Sequence, residues 1–430
     1  MSLTLHRPGT PAYDAARAGF DLSAIPEPDL AVSATCEADV AAAVGYAAQR
    51  DLPVAVRATG HGPVRGVTGG VLVDTRAMRS VRIQGRSAVL GAGTTWTDVL
   101  ARCAPLGLAP LCGSAPDVGA VSYSLGGGLG PLGRAHGWAA DHVRRLRLVT
   151  ADGEVRTVDA SEPDLFWAVR GGGGNFGVVT ELETDLVRVE QLYGGGLFLP
   201  GECAGELLAA FGQVTAAAPD ALSLSVAFVT FPPAAPAPLR GRFLAHLRVA
   251  HLGDPREAEA LLAPLRAVAE PVLDTVRPLG IDEIGTIHAD PVAPMPVSCG
   301  GAILPRWDEA AITVLLTEIG PATPHMLELR HLGGALAEPA DTSVGHRSAL
   351  YSVFTSAYPG GPAEVQTSFY RRLEPWSGGR SLYNFTAHPD NTPADACGAF
   401  EPPILDRLRL VKKEWDPQNR FRFALPFTPR

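Results

Sequence analysis

Hydrophobic positions in this chain come in short runs broken by turns, with no single sustained stripe. Val40, Val44, Ala47 and Ala48 share one helical face, and Thr35 ahead of Glu37 and Asp39 predicts a capped start for that helix. Leu52-Pro53-Val54-Ala55-Val56 predicts a strand with its proline at a sheet edge. Further strands are expected over 71–74, 81–83 and 87–90, and a helix over 97–103. Residues 113–137 are punctuated by glycine and carry little regular signal. Then 143–149 alternates, Ala151-Asp152-Gly153-Glu154 makes a hairpin turn and 155–158 returns. A short helix over 164–169 leads into a four-glycine run, Gly171 to Gly174, and 178–184 reads as a strand. One α+β unit therefore ends near residue 190.

From Gly194 the texture changes. Pro-Ala linkers such as Pro232-Pro233-Ala234-Ala235-Pro236 separate alternating strands (222–228, 245–249, 326–332) from amphipathic helices, of which 256–269 is the clearest. This region, about 191–380, predicts a sheet with helices over it and has no phosphate loop. The tail is a basic helix followed by Trp415-Asp416-Pro417-Gln418-Asn419.

Composition narrows the function. A length of 430 residues favours two domains, and 47 glycines with 38 prolines favour a turn-rich mixed architecture. A formal charge of −9 argues against nucleic acid or an anionic membrane as main partner. The six cysteines form no C-x-x-C pair, so neither a disulfide framework nor a metal site is expected. No leader pattern and no apolar run of about 18 residues stand out, which predicts a cytoplasmic protein.

The chemistry concentrates in three motifs. In Arg57-Ala58-Thr59-Gly60-His61-Gly62, two glycines flank a histidine, so the backbone can approach a ligand closely. Such a histidine can be base, metal ligand or nucleophile. Gly126-Gly127-Gly128-Leu129-Gly130 and Gly171-Gly172-Gly173-Gly174-Asn175-Phe176-Gly177 expose successive backbone N–H groups able to cradle a pyrophosphate without lysine. Gly128 to Gly133 also spells G-x-G-x-x-G, but Pro131 sits inside it and no strand precedes it. A nicotinamide-dinucleotide domain is therefore rejected.

In order along the chain, Glu37-Ala38-Asp39-Val40, the Arg57 to Gly62 turn, Val118-Gly119, the 126–130 loop, Asp141, Val149 to Gly153, Phe166 to Gly177 and Val411 to Phe421 form a pattern. It resembles the FAD-linked oxidases of the vanillyl-alcohol-oxidase type, within them the berberine-bridge-enzyme-like family. The resemblance implies a two-domain α+β flavoprotein. Its FAD-binding domain, two small α/β subdomains, would span 1–190 and be completed by 385–430, with the family's closing signature at 400–430. A substrate-binding domain of antiparallel sheet covered by helices would span 191–384. It implies FAD bound through Arg57, Thr59, Gly60, His61, Gly62, Gly119, Ser122, Gly126, Gly127, Gly128, Gly130, Gly173, Gly174, Asn175, Gly177, Val178 and Asn384, with His61 carrying the flavin covalently.

Departures from the family pattern sharpen this. The cysteine that gives many relatives a second flavin bond is replaced by Ala115, and Cys112 lies three residues early, so a single link through His61 is expected. Ala120-Val121-Ser122 stands where relatives carry a bulky residue and two glycines, and Leu382-Tyr383-Asn384-Phe385 lacks the first tyrosine of Tyr-x-Asn-Tyr. The base for the substrate proton is then sought first in Tyr383, next in Tyr351, with Tyr358, Glu328, His331 and His346 behind them and Arg347 as a tyrosine's acidifying neighbour. The expected activity is oxidation of a small organic molecule, a natural-product tailoring step, with oxygen as acceptor. A carbohydrate or alcohol oxidase and a non-redox flavin cyclase are the alternatives. A monomer or homodimer is expected.

Overall fold

The computed structural model describes residues 4–23, 25–62, 66–357, 363–386 and 397–424. Tyr358 lies outside these. The chain forms an α+β structure with three main sheets. Strands Leu30–Ser33 and Val54–Arg57 flank Val71–Asp74 in parallel. Helix Glu37–Ala48 buries Val40, Ala43, Val44 and Ala47 against Val32, Val54, Val71 and Val73. Cys36, and not Thr35, occupies its N-cap. Asp39 Oδ2 accepts from the backbone N–H and hydroxyl of Thr35 and from the Cys36 N–H, so the acid of the third helical residue does the work expected of Thr35.

The second sheet is antiparallel, in the order Val81–Gln84, Ser87–Gly91, Val178–Asp185, Val143–Val149, Val155–Val158. The expected hairpin closes with the Thr150 N–H donating to the Glu154 carbonyl at 3.0 Å, and Gly153 supplies a φ of +85°. Two short helices, Ala120–Leu125 and Gly133–His136, occupy the stretch that carried little regular signal. At six and four residues, bounded by glycine, they are too brief to show a periodic face.

The third sheet has eight antiparallel strands, among them Leu222–Thr230, Phe243–Leu252, His325–His331 and Tyr351–Ala357. Alternation sorts its residues cleanly. Leu224, Val226, Leu247, Val249, Leu327, Leu329 and Val353 face one way, into a core closed by Leu208 and Phe211 of helix Ala204–Ala216, Leu262 of Pro255–Arg266, Leu315 of Glu309–Glu318 and Phe369 of Ala363–Leu373. The alternate positions are polar: Ser223, Ser225, His246, Arg248, Glu328, Arg330 and Ser352.

The tail returns to the N-terminal sheets. Helix Pro402–Trp415 lies against helix Pro163–Val169. Beyond it, the Arg420 carbonyl accepts from the Val54 N–H at 2.8 Å, and the Arg420 guanidinium donates to the carbonyls of Ala47, Leu52 and Ala151. Lys412 Nζ, wholly buried, donates to Asp416 Oδ2 and to the Asn175 carbonyl, each at 2.6 Å. Asp416 also accepts the N–H groups of Arg420 and Phe421. This buried knot ties the closing segment to the four-glycine loop. Among the described residues no helix is long and apolar enough to cross a membrane.

Candidate active site

The His61 turn is held by a segment that the sequence did not single out. The N–H groups of Phe20 and Asp21 donate to the carbonyls of Thr59 and Gly60, each at 3.0 Å. Gly60 has φ +75°, and a Cβ there would lie 2.8 Å from Gly19 Cα, so no other residue fits. The Phe20 ring stacks on His61 at 4.0 Å between centroids. Arg57 is buried; one guanidinium nitrogen donates to the Arg17 carbonyl, while Nε has no hydrogen-bond partner among the described residues. Burial, helped by Arg76, lowers the Arg57 pKa to about 10.

His61 itself is half-buried, and that burial lowers its pKa, with Asp117 opposing. It is therefore neutral at pH 7. Thr59 Oγ1 accepts the Gly119 N–H at 3.2 Å and lies 2.9 Å from His61 Nδ1. The threonine hydroxyl can donate to Nδ1 or accept from it, so the contact fits either neutral tautomer. In either one the neutral imidazole keeps one ring nitrogen with a lone pair, the state a nucleophile requires.

Helix Ala120–Leu125 runs from this turn to both glycine loops. At its start Ser122 Oγ donates to the Gly119 carbonyl at 3.2 Å; at its end the Leu125 carbonyl accepts the Gly171 N–H at 2.8 Å. Asn384 donates to the Tyr123 carbonyl at 2.8 Å and lies so close to Gly126 that a Cβ there would be 1.8 Å from its Oδ1. Gly130 passes equally close to the Cys112 carbonyl, and Gly173 to the Tyr383 hydroxyl. Gly127 and Gly128 present carbonyls to Ala140 and Ala139. The structure thus brings His61, Thr59, Gly119, Ser122, Gly126, Gly173, Tyr383 and Asn384 into one connected region. Asn175 sits beside it, donating to the Gly172 carbonyl at 2.9 Å and to the Tyr383 hydroxyl at 3.4 Å. Gly62 is exposed and Gly174 has open space around it. Gly177 packs on the Val149 carbonyl, and Val178 is buried in the core of the first sheet, paired with Val149.

The other candidates scatter. Tyr351 faces the helix-covered side of the third sheet, its hydroxyl 2.8 Å from Thr215 Oγ1 in helix Ala204–Ala216. Burial raises its pKa, the opposite of what a base needs. Among the described residues Arg347 is paired with Asp141 and Thr342, not with a tyrosine. His346 is fixed between the Gly398 carbonyl at 3.0 Å and Glu401. His331 Nε2 must accept from Arg134 at 3.2 Å, and burial together with that cation lowers its pKa to about 3.

Glu328 sits in a network that sequence reasoning missed. On the polar face of the third sheet its buried carboxylate pairs with Arg248 at 2.9 Å and Arg330 at 3.1 Å. Burial alone would raise its pKa, but the two guanidiniums hold it well below the carboxylate range, so it is a fixed anion and a poor base. Leu129, Pro131 and Arg134 from the glycine loop and its following helix roof this face, leaving a narrow recess of about 30 Å³. The signal was present: the pairs His246/Arg248 and Glu328/Arg330 each sit two apart within otherwise apolar strands.

The model of an FAD binding domain matches residues 28–159. An (R)-6-hydroxynicotine oxidase of Paenarthrobacter nicotinovorans is 31% identical over 456 aligned residues, covering 98% of this chain and 96% of the relative. The crystal structure of 6-hydroxy-D-nicotine oxidase from Arthrobacter nicotinovorans superimposes with a TM-score of 0.83 at 27% identity, covering 100% of this chain and 98% of that one. Physcomitrella patens BBE-like 1 matches with a TM-score of 0.86 at 23% identity over 100% and 98% of the two chains, a likeness of fold.

Proposed function

Because the chain belongs to the FAD-linked oxidases of the vanillyl-alcohol-oxidase type with berberine-bridge-enzyme-like members, and is an FAD-dependent oxidoreductase, we propose that it oxidises a small organic molecule with a flavin tethered once, through His61. The observation that carries this reading is the neutral, half-buried His61, with Nδ1 beside Thr59 and its ring stacked on Phe20. One observation fits the flavin: the buried Arg57 Nε has no hydrogen-bond partner among the described residues. Thr59, Gly119, Ser122, Gly126 and Asn384 would hold it beside His61.

A second tether is disfavoured on chemical grounds. Ala115 has no thiol, and burial, with Cys103 nearby, pushes the Cys112 thiol up to about 12, so it carries no nucleophilic thiolate at neutral pH. When bound, the flavin supplies a hydride acceptor whose two electrons pass to oxygen as peroxide. The chain's own part is to position the substrate and to take up the proton lost from its O–H or N–H. We assign that step to Tyr383, at the Gly173 loop, a reading supported by Tyr351, Glu328 and His331 each being disabled by position or charge.

The recess is small and partly apolar, lined by Leu129, Leu224, Ile287 and Leu336 as well as charge, which favours a compact substrate over an oligosaccharide chain. Anaerobic mixing tests the reading. Substrate should bleach the flavin, and admitting oxygen should restore the colour with one peroxide per turnover; product formed without bleaching would mean a non-redox reaction instead.

A further inference from the structure

The recess carries a charge imbalance. Among the described residues two guanidiniums, Arg248 and Arg330, face one carboxylate, Glu328, and all three are largely withdrawn from water. Arg134 adds a third cation from the roof, spent on the Leu222, Leu332, Ala218 and Pro219 carbonyls, with the surface carboxylate Asp220 at 3.5 Å. The histidines around it do not restore the balance. His246, His288 and His331 are all held neutral, first by burial and then by the neighbouring arginines.

An uncompensated buried cation is costly, and so are buried polar atoms without partners. Here the two coincide. His288 is 8% exposed, lines the recess, and neither ring nitrogen has a hydrogen-bond partner among the described residues; its Nε2 stands 3.9 Å from Glu328. The Ser225 hydroxyl, paired in register with both Arg248 and Arg330, is turned to the Glu328 carboxylate and helps hold it ionised. Unlike Arg134, Arg330 makes hydrogen bonds only to Glu328 among those described, and its guanidinium lies over the Phe385 ring at 5.2 Å, next to Asn384. Excess positive charge and a free imidazole donor therefore converge at the edge of the region assigned to the flavin.

We propose that this recess is an anion subsite: the substrate is a small organic acid whose carboxylate seats against Arg248 and Arg330, with His288 donating to it. This rests on the flavin-oxidase reading and adds the substrate class to it. The carboxylate would neutralise the surplus guanidinium and leave the rest of the molecule under the Gly126–Gly130 loop, so that binding energy at the acid group orients the oxidisable carbon.

The test uses the flavin-loaded protein and three probes of one shape: benzoate, benzamide and benzylamine. Binding is read from the perturbation of the flavin absorbance and, independently, from the rise in thermal midpoint. Benzoate should bind roughly tenfold or more tighter than the neutral and cationic probes, the scale of one charge-assisted hydrogen bond. In Arg330→Met, where Glu328 and Arg248 balance, and in Ser223→Asp, which places a carboxylate on the wall while leaving the network whole, that preference should fall to within about twofold. Benzamide or benzylamine binding as tightly as benzoate overturns the proposal, as does a preference that survives in both variants. Flavin colour kept in the acid-precipitated pellet separates the two readings: its absence strikes at the flavin assignment, whereas a tethered flavin with no anion preference strikes at the subsite alone.

Discussion

Replacing Asp416 by Asn removes the counter-charge of Lys412 with little change of volume. The two side chains are 0% and 1% exposed, so water cannot take over the ammonium. An amide at 416 also turns one of its two acceptor positions into a donor facing the N–H groups of Arg420 and Phe421 or Lys412 Nζ. Breaking one side of such a buried pair costs about 3–5 kcal/mol. The pH dependence identifies the cause. Burial already lowers the Lys412 pKa while Asp416 opposes the shift; without Asp416 it drops further. A folded-state pKa below the unfolded one means the unfolded chain binds more protons in the window between them, so stability rises with pH there. The deficit measured by urea unfolding, followed by tryptophan fluorescence, should therefore shrink between pH 7 and about pH 9.5, as lysine approaches its ordinary range. A loss under about 1 kcal/mol, or a deficit that stays constant across that range, would refute the account.

Gly126→Ala should abolish flavin loading, because its Cβ displaces Asn384 from the Tyr123 carbonyl; fully loaded enzyme on purification would count against it. Gly60→Ala, strained at φ +75° and pressed on Gly19, should destabilise the protein by about 1–3 kcal/mol and cut the tethered fraction. Tyr383→Phe should lower kcat by roughly a hundredfold or more, as loss of a proton acceptor does. Tyr351→Phe should leave kcat within about twofold and cost only about 1 kcal/mol of stability from the Thr215 bond. Equal effects on kcat would erase the distinction.

Much of the fold was legible because local signals agreed with the tertiary outcome. The edge proline before Val54, the Asp152-Gly153 turn and the Asp416-Pro417 tail each mark a feature the chain does form. The turn at Gly60 was legible for the same reason, since its positive φ and close approach to Gly19 are what a glycine there announces, whereas Gly62 meets nothing. What stayed hidden depends on distant partners. Phe20 stacks on His61 from 41 positions away, and nothing around Phe20 signals it. Tyr351 and Glu328 were both candidate bases, but the face each residue takes follows from strand register: the helix side for Tyr351, the arginine side for Glu328. Helix Ala120–Leu125 bridges the turn and the loops, yet its six residues are too few to read.

The single tether at His61 is the claim on which the functional account stands, and one measurement addresses it directly. The purified protein is precipitated with acid, and the pellet is examined for flavin absorbance and digested for mass analysis. Yellow colour retained in the pellet, one flavin mass on the peptide containing His61, none on the peptide containing Cys112, and a colourless pellet from His61→Ala are the predicted results. Flavin lost to the supernatant from the unmodified protein, or carried by the Cys112 peptide, would contradict it.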